Sequence, residues 1–219
     1  MHPRAGETQL HSGVSAILLA AGAGSRFGGG KLLASFRGRP MIEAVLSELR
    51  EAPVDEIITV VGESAEEGER LRRVCSLRGA HIAENPKWEG GISTSVKRGL
   101  SACAPDSRAA VIVLGDQPLV GAAAVGRLVS AFADGAEVAA ATYGGRQRNP
   151  VLFSRSVWPL LQKELSGDEG ARRFLREHRD LVTEVPCDGV ADPADVNTVE
   201  DLRSLEACGA GEQNKLEGG

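Results

Sequence analysis

Four short aliphatic runs, at residues 15–20, 56–61, 110–114 and 137–142, set the limits on what this chain can fold into. Each has strand length and almost no polar alternation, which predicts strands buried on both faces. Between them, residues 41–50, 65–75, 92–104 and 122–133 carry apolar side chains at helical spacing. Strand and helix therefore alternate, which predicts right-handed crossovers and a Rossmann-like α/β fold: a mostly parallel sheet with helices on both faces. In such a sheet ligands belong beyond the carboxyl ends of the strands.

After Gly144-Gly145 the pattern changes. Residues 150–153, helices near 157–165 and 171–178, a strand at 181–186 and a helix from 198 to about 207 predict an inserted or appended lobe within one domain. No internal repeat or low-complexity linker marks a second one. The expected organisation is a flexible extension at 1–13, a single domain at 14–207 and a flexible tail at 208–219.

Composition narrows the class. Hydrophobic residues make up 42% and charged residues 25%, which is ordinary for a globular domain. No apolar stretch approaches the ~18 residues of a membrane span. Twenty-five basic against thirty acidic residues leave a net charge of −5, which argues against nucleic acid or an anionic membrane as a partner. Cys75, Cys103, Cys187 and Cys208 form no C-x-x-C pair, so neither zinc nor a disulfide scaffold is expected. With no signal-like apolar segment at the start, the expected location is the cytoplasm.

The stretch from Leu19 to Lys31 is the most informative in the chain. It follows the first strand directly, and its glycines free backbone N–H groups to form an anion-binding nest. A Walker A loop would need glycine at Ser25 and Ser or Thr at Leu32, and a dinucleotide fingerprint would need glycine at Phe27. What remains is a loop that sets two cations, Arg26 and Lys31, beside small residues able to lie against a triphosphate. The second signal is Asp116, just past the run Val111-Ile112-Val113-Leu114. A single carboxylate there suffices to start a magnesium site completed by phosphate oxygens and water.

In order, Leu19, Ala20, Ala21, Gly22, Arg26, Gly28 and Lys31 match L-A-A-G-x-x-x-R-x-G-x-x-K, which resembles the signature of the MobA-like nucleotidyltransferases. Gly115-Asp116-Gln117-Pro118 is similar to the family's G-D-Q-P at its metal-binding aspartate. The resemblance implies a fold of the nucleotide-diphospho-sugar transferase type. It implies that Ala20, Ala21, Gly22, Ala23, Gly24 and Ser25 wrap an NTP triphosphate, with Arg26 and Lys31 balancing its charge in catalysis and Asp116 holding Mg2+. Residues 85–100 resemble the family's N-P-x-W-x-x-G-M-S-S-S-L-x-x-G-L stretch, which implies that Asn85, Gly91 and Ser95 meet the base and ribose.

The molybdenum cofactor cytidylyltransferase (MocA-like) branch is the nearest in pattern, because L-A-A-G is similar to its opening. The branch implies CTP as donor and molybdopterin as acceptor, possession of a molybdoenzyme partner, and an acceptor pocket at Asn149, Pro150 and Arg172. Two departures stand out. Asn149 replaces the branch's His, and in Asp195-Val196-Asn197-Thr198-Val199-Glu200-Asp201-Leu202 Asn197 replaces the second Asp of D-I-D-T-P-E-D-L. Asn197 is expected as a neutral second metal ligand, as a cap of the last helix together with Thr198, or as both. The same chemistry on a sugar phosphate or phospholactate-like acid, and a non-catalytic chaperone that delivers nucleotide or cofactor, are the alternatives.

Overall fold

The computed structural model describes residues 12–22, 24–62 and 65–216, without the side chains at 25, 65–67 and 208–216. The chain opens on β1 (Val14–Ala20), then forms a small ribbon of β2 (Ser35–Phe36) and β3 (Arg39–Pro40) that leads into α1 (Met41–Glu51). Next come β4 (Glu56–Gly62), α2 (Ala65–Leu77), β5 (His81–Asn85), α3 (Ile92–Ala102), β6 (Ala109–Leu114) and α4 (Ala122–Ala133). The last part contains β7 (Val138–Tyr143), β8 (Arg146–Ser154), α5 (Trp158–Glu164), α6 (Arg172–Glu177), β9 (Val182–Pro186) and α7 (Val199–Leu216).

Seven strands form one sheet in the order β5-β4-β1-β6-β8-β7-β9. Strands β5, β4, β1 and β6 are parallel neighbours, as are β7 and β9, while β8 runs antiparallel to both β6 and β7. All seven residues of β1 are buried. Because side chains alternate across a strand, Ala16, Leu18 and Ala20 enter one core with α1, α2, α4 and α7, and Ile17 and Leu19 enter the other with α3, α5 and α6. Helices thus cover both faces, as the uninterrupted aliphatic runs require.

Three elements differ from the sequence reading. Residues 150–153 belong to no separate lobe: they are the buried half of β8, which inserts between β6 and β7 and brings the carboxyl-terminal third into the same sheet. Strand β5 escapes the pattern because His81-Ile82-Ala83-Glu84-Asn85 is an edge strand of mixed burial without an aliphatic run. The last helix continues to Leu216 rather than ending near Ala207. Glu212, Gln213 and Lys215 are good helix formers, and each residue added to a started helix gains a backbone bond despite Gly209 and Gly211.

The two poles of the sheet are built differently. At the amino pole, Ser15 Oγ donates to Glu56 Oε1 (2.5 Å), which also accepts the N–H of Ala104 (2.8 Å). Side chains close that end. At the carboxyl pole the chain reverses direction across the sheet, running from β1 outward to β4 and β5 and returning to β6 on the other side of β1. The crevice between the ends of β1 and β6 is the switch point where a doubly wound sheet presents ligands.

Helix α3 holds one wall of that crevice by crossing β1 closely: a Cβ at Gly99 would stand 2.4 Å from Ile17 Cγ2. Gly99→Ala is therefore expected to destabilise the fold by about 1–3 kcal/mol through overpacking, in spite of alanine's better helix propensity. Urea unfolding of the two proteins measures the difference.

Candidate active site

Two loops meet at the switch point. After β1, the chain turns at Gly24, whose carbonyl accepts the N–H of Phe27 (2.9 Å) and of Gly29 (3.3 Å). Gly28, Gly29 and Gly30 then follow with φ of 88°, 91° and 65°, a succession of left-handed residues that side chains would strain. A 3-10 turn at Lys31–Leu33 buries Leu32 and aims Lys31 inward. After β6, Gly115 packs so tightly that a Cβ would lie 3.1 Å from the Leu19 carbonyl oxygen, which sets Asp116 against the end of β1.

The two loops are joined by charge. Lys31 Nζ lies 2.6 Å from Asp116 Oδ2, with the side chains only 14% and 22% exposed. The pair sits in the wall of a cavity of about 320 Å³ that is also lined by Ala20, Ala21, Gly22, Trp88, Gly91 and Ser95. Trp88 reaches it by packing over Gly62, where a Cβ would be 3.0 Å from the indole.

Of the residues expected on the nucleotide, Ala20, Ala21, Gly22, Lys31, Gly91, Ser95 and Asp116 line this one cavity. Asn85 does not. It is 3% exposed, and its amide donates to Thr94 Oγ1 (2.8 Å) and Ser95 Oγ (3.0 Å), so it fastens the end of β5 to the start of α3. Ser95, whose oxygen accepts from Asn85, keeps its own proton to offer the cavity. Arg26 stands exposed in the 3-10 turn Ser25–Phe27, without an ion pair among the described residues. Gly24 lies in the loop but lines neither cavity, Ser25 is described by its backbone alone, and Ala23 lies outside the described residues.

A second cavity of about 790 Å³ shares Leu19, Ile92, Leu114 and Asp168 with the first, so the two are contiguous. Asn149 and Arg172 line it, whereas Pro150 is buried behind Asn149 and does not. Asp168 enters because Gly91, at φ 95°, lets the turn Gly167–Glu169 close over the start of α3. A Cβ there would be 2.6 Å from Asp168 Oδ1.

The segment before α7 docks beside Asp116, whose carbonyl accepts the N–H of Val196 (2.9 Å). Thr198 caps the helix: its Oγ1 accepts the Asp201 N–H (3.1 Å), while Asp201 Oδ2 accepts the N–H groups of Asn197 (2.9 Å) and Thr198 (2.8 Å). Those bonds hold the Asp201 carboxyl below the usual range. Asn197 is half-buried next to this cap and lines neither cavity.

Sequence reasoning passed over Asp195 and Gln117. Gln117 Nε2 donates to Asp195 Oδ1 (2.8 Å) and to the Pro193 carbonyl (3.0 Å), and both residues line the larger cavity. Burial pushes the Asp195 carboxyl up, and the charge of Asp116 adds to the effect. The Gln117 bond, then Arg148 and Arg172, pull it back. The signal was present as the first Asp of D-V-N, but only its place beside Gln117 in the larger cavity gives it meaning.

An open parallel sheet with a glycine loop at its switch point, facing a lysine–carboxylate pair, is the architecture of a nucleotide-handling α/β enzyme. Residues 16–182 match the MobA-like NTP transferase domain, and the chain belongs to that family. It is 32% identical over 211 residues to nicotine blue oxidoreductase of Paenarthrobacter nicotinovorans, covering 91% of this chain and 99% of that one. The crystal structure of the homologue of Mycobacterium tuberculosis Rv0371c from Mycobacterium sp. strain JC1 is similar at a TM-score of 0.78 and 32% identity, over 91% of this chain and 98% of that one. Rv0371c from Mycobacterium tuberculosis, solved in complex with manganese, is similar at a TM-score of 0.72 and 28% identity, over 89% of this chain and 98% of that one.

Asp195 makes the pH behaviour of the site testable. Its carboxyl takes up a proton more readily in the folded state, so its contribution to stability is greatest below the unfolded value near 3.8 and is lost as pH rises through the folded value. Asp195→Asn is expected to stabilise the metal-free protein at neutral pH, with the advantage vanishing toward about pH 4. Urea unfolding of both proteins across that range measures it.

Proposed function

We propose that the chain is a magnesium-dependent nucleotidyltransferase that moves an NMP group to a phosphorylated acceptor. CTP is the favoured donor and molybdopterin the favoured acceptor. The observation that carries this reading is the Lys31–Asp116 pair. It spans the switch point in the wall of a cavity that the glycine loop helps to form and that opens onto a second, larger one.

In the proposed reaction an oxygen of the acceptor phosphate bonds to the α-phosphorus, the bond from that phosphorus to the bridging oxygen breaks, and pyrophosphate leaves with the electron pair. No protein nucleophile is required, so the residues act by positioning and by neutralising charge. Lys31 exchanges its carboxylate partner for phosphate oxygens when NTP enters, and Arg26 supplies the second cation. Ser95 and the backbone at Gly91 hold the nucleoside, and Asn149 and Arg172 hold the acceptor.

Magnesium fits the residues present. Asp116 is a hard oxygen donor, and a second carboxyl, Asp195, lies near enough to feel its charge. Among the described residues no three His, Cys, Asp or Glu side chains gather, so an ion here would share its shell with phosphate and water. Asp116 would hold it, with Asn197, which lines neither cavity but follows the residue bonded to the Asp116 carbonyl, as the second ligand, and the ion would supply neutralisation of the phosphate charge. The manganese in Rv0371c supports a divalent cation in this family.

One observation favours a second reading, reduction of a small acceptor: the Paenarthrobacter relative is named an oxidoreductase. Against it stand Phe27 in place of the dinucleotide glycine and the conjunction of Arg26, Lys31 and Asp116. Two assays on one preparation separate the readings. Pyrophosphate release is expected with CTP, molybdopterin and magnesium, and no oxidation of NADH or NADPH is expected when NTP is left out. The reverse result would overturn the transferase reading.

Asp116→Asn is expected to lower turnover by about 10²–10³-fold or more, and Lys31→Ala to lower kcat at saturating NTP and not only raise KM. Asn197→Asp should reduce the magnesium needed for half-maximal rate and Asn197→Ala should increase it. Because Thr198 and not the Asn197 side chain makes the cap, a metal dependence unchanged in both variants would remove Asn197 from the metal site.

A further inference from the structure

The larger cavity is lined by more arginines than one attacking phosphate engages. Arg172, Arg176 and Arg179 line it from α6 and the turn that follows. Arg172 and Arg176, four residues apart, share one face of α6, and Arg179 lies in the turn beyond its end. Arg146 and Arg148 line it as alternate residues of β8, on one face of that strand. Five guanidinium groups thus ring a cavity whose acidic residues, Asp168, Glu169, Glu184 and Asp195, number four.

Two of those carboxylates accept a bond from a neutral amide, Asp195 from Gln117 and Glu184 from Gln147 Nε2 (2.9 Å), which orients them and leaves their charge in place. Arg176 pairs with Glu169 at 3.7 Å, both side chains being more than half exposed. Among the described residues Arg146, Arg148, Arg172 and Arg179 have no ion pair.

The arginines fall into an inner and an outer group. Arg148 lies three residues before Val151, the partner of Ile112 near the end of β6, and Arg172 opens α6 just after the turn whose Asp168 lines both cavities, so the two flank the place where a transferred group would change hands. Arg176 stands one helical turn along from Arg172, about 6 Å by helix rise, and Arg179 lies beyond it. The same lining includes the apolar side chains of Leu19, Val96, Ile112, Leu114, Val151 and Leu175.

We propose that the larger cavity takes acceptors with a short apolar body and two separated anionic groups, a class that extends beyond molybdopterin, whose one phosphate would use the inner group alone. The inner group, at Arg148 and Arg172, is the phosphate that attacks. The outer group, a second phosphate or a carboxylate, is read by Arg176 and Arg179, which makes those residues specificity determinants. This rests on the larger cavity's being the acceptor site of a nucleotidyltransferase, and it is tested by binding alone, so its failure and the failure of the transferase reading are distinguishable.

Calorimetric titration of the full chain at low ionic strength, without NTP, compares butyl phosphate with butane-1,4-diyl bisphosphate. The bisphosphate is expected to bind at least about tenfold more tightly and to lose affinity more steeply with added salt. The double variant Arg176→Ala with Arg179→Ala should abolish that advantage and leave butyl phosphate within about twofold, while Arg172→Ala weakens both ligands. Lysine at 176 and 179 should retain most of the preference, which separates loss of charge from loss of structure. Equal affinities, no binding of either compound, or a bisphosphate advantage that survives the double alanine variant would overturn the proposal. Pyrophosphate release by the same preparations reports on the transferase reading independently.

Discussion

Burial of β1 on both faces is the constraint from which the architecture follows. A strand with no solvent-facing side must pair on both edges and be covered above and below, so β4, β6 and helices on both sides are required by its composition alone. Its carboxyl end is then the one place where this core strand opens into loops. Leu19 shows the continuity: its side chain belongs to one core and lines both cavities, and its carbonyl accepts the N–H of Gly115 at 3.0 Å. Core packing and ligand site are joined at that residue.

The electrostatics run against the overall balance of the chain. A protein of net charge −5 concentrates guanidinium groups around one cavity and closes a lysine onto an aspartate in the other. That pair keeps two partly buried charges satisfied in the absence of ligand, where either left alone would be costly. On the proposed function, a nucleotide with its cation would give each member a replacement partner, so binding would exchange one set of charge contacts for another rather than create charge in a low-dielectric wall.

Much of the fold was legible because its strands are aliphatic runs and its helices amphipathic. The exceptions have local causes. Edge strand β5 carries no run, and β8 hides its exposed first half in polar residues, so only its buried half looked like a strand. Within the site, the glycine loop and Asp116 were legible because each lies directly after a buried strand. The contribution of Asn85 was misjudged, since a side chain that fastens two backbone segments and one that meets a ligand share the same residue type. Asp195 and the outer arginines depend on contacts across more than 20 residues of sequence, which no spacing rule records.

Antiparallel β8 has a consequence for how this chain can change. Apart from Asp168, the residues around the smaller cavity all precede Gln117, whereas the polar rim of the larger one, Gln117 aside, comes from Gly145 onward. Because β8 is stitched between β6 and β7, the second block is carried on the same rigid sheet as the first instead of on a hinged module. On the proposed function, donor handling and acceptor choice are written in successive stretches of one gene product that share a single frame. Substitutions in the later stretch would then redirect the transferred group to a new recipient without disturbing the grip on the nucleotide, which would make the scaffold inheritable in two parts.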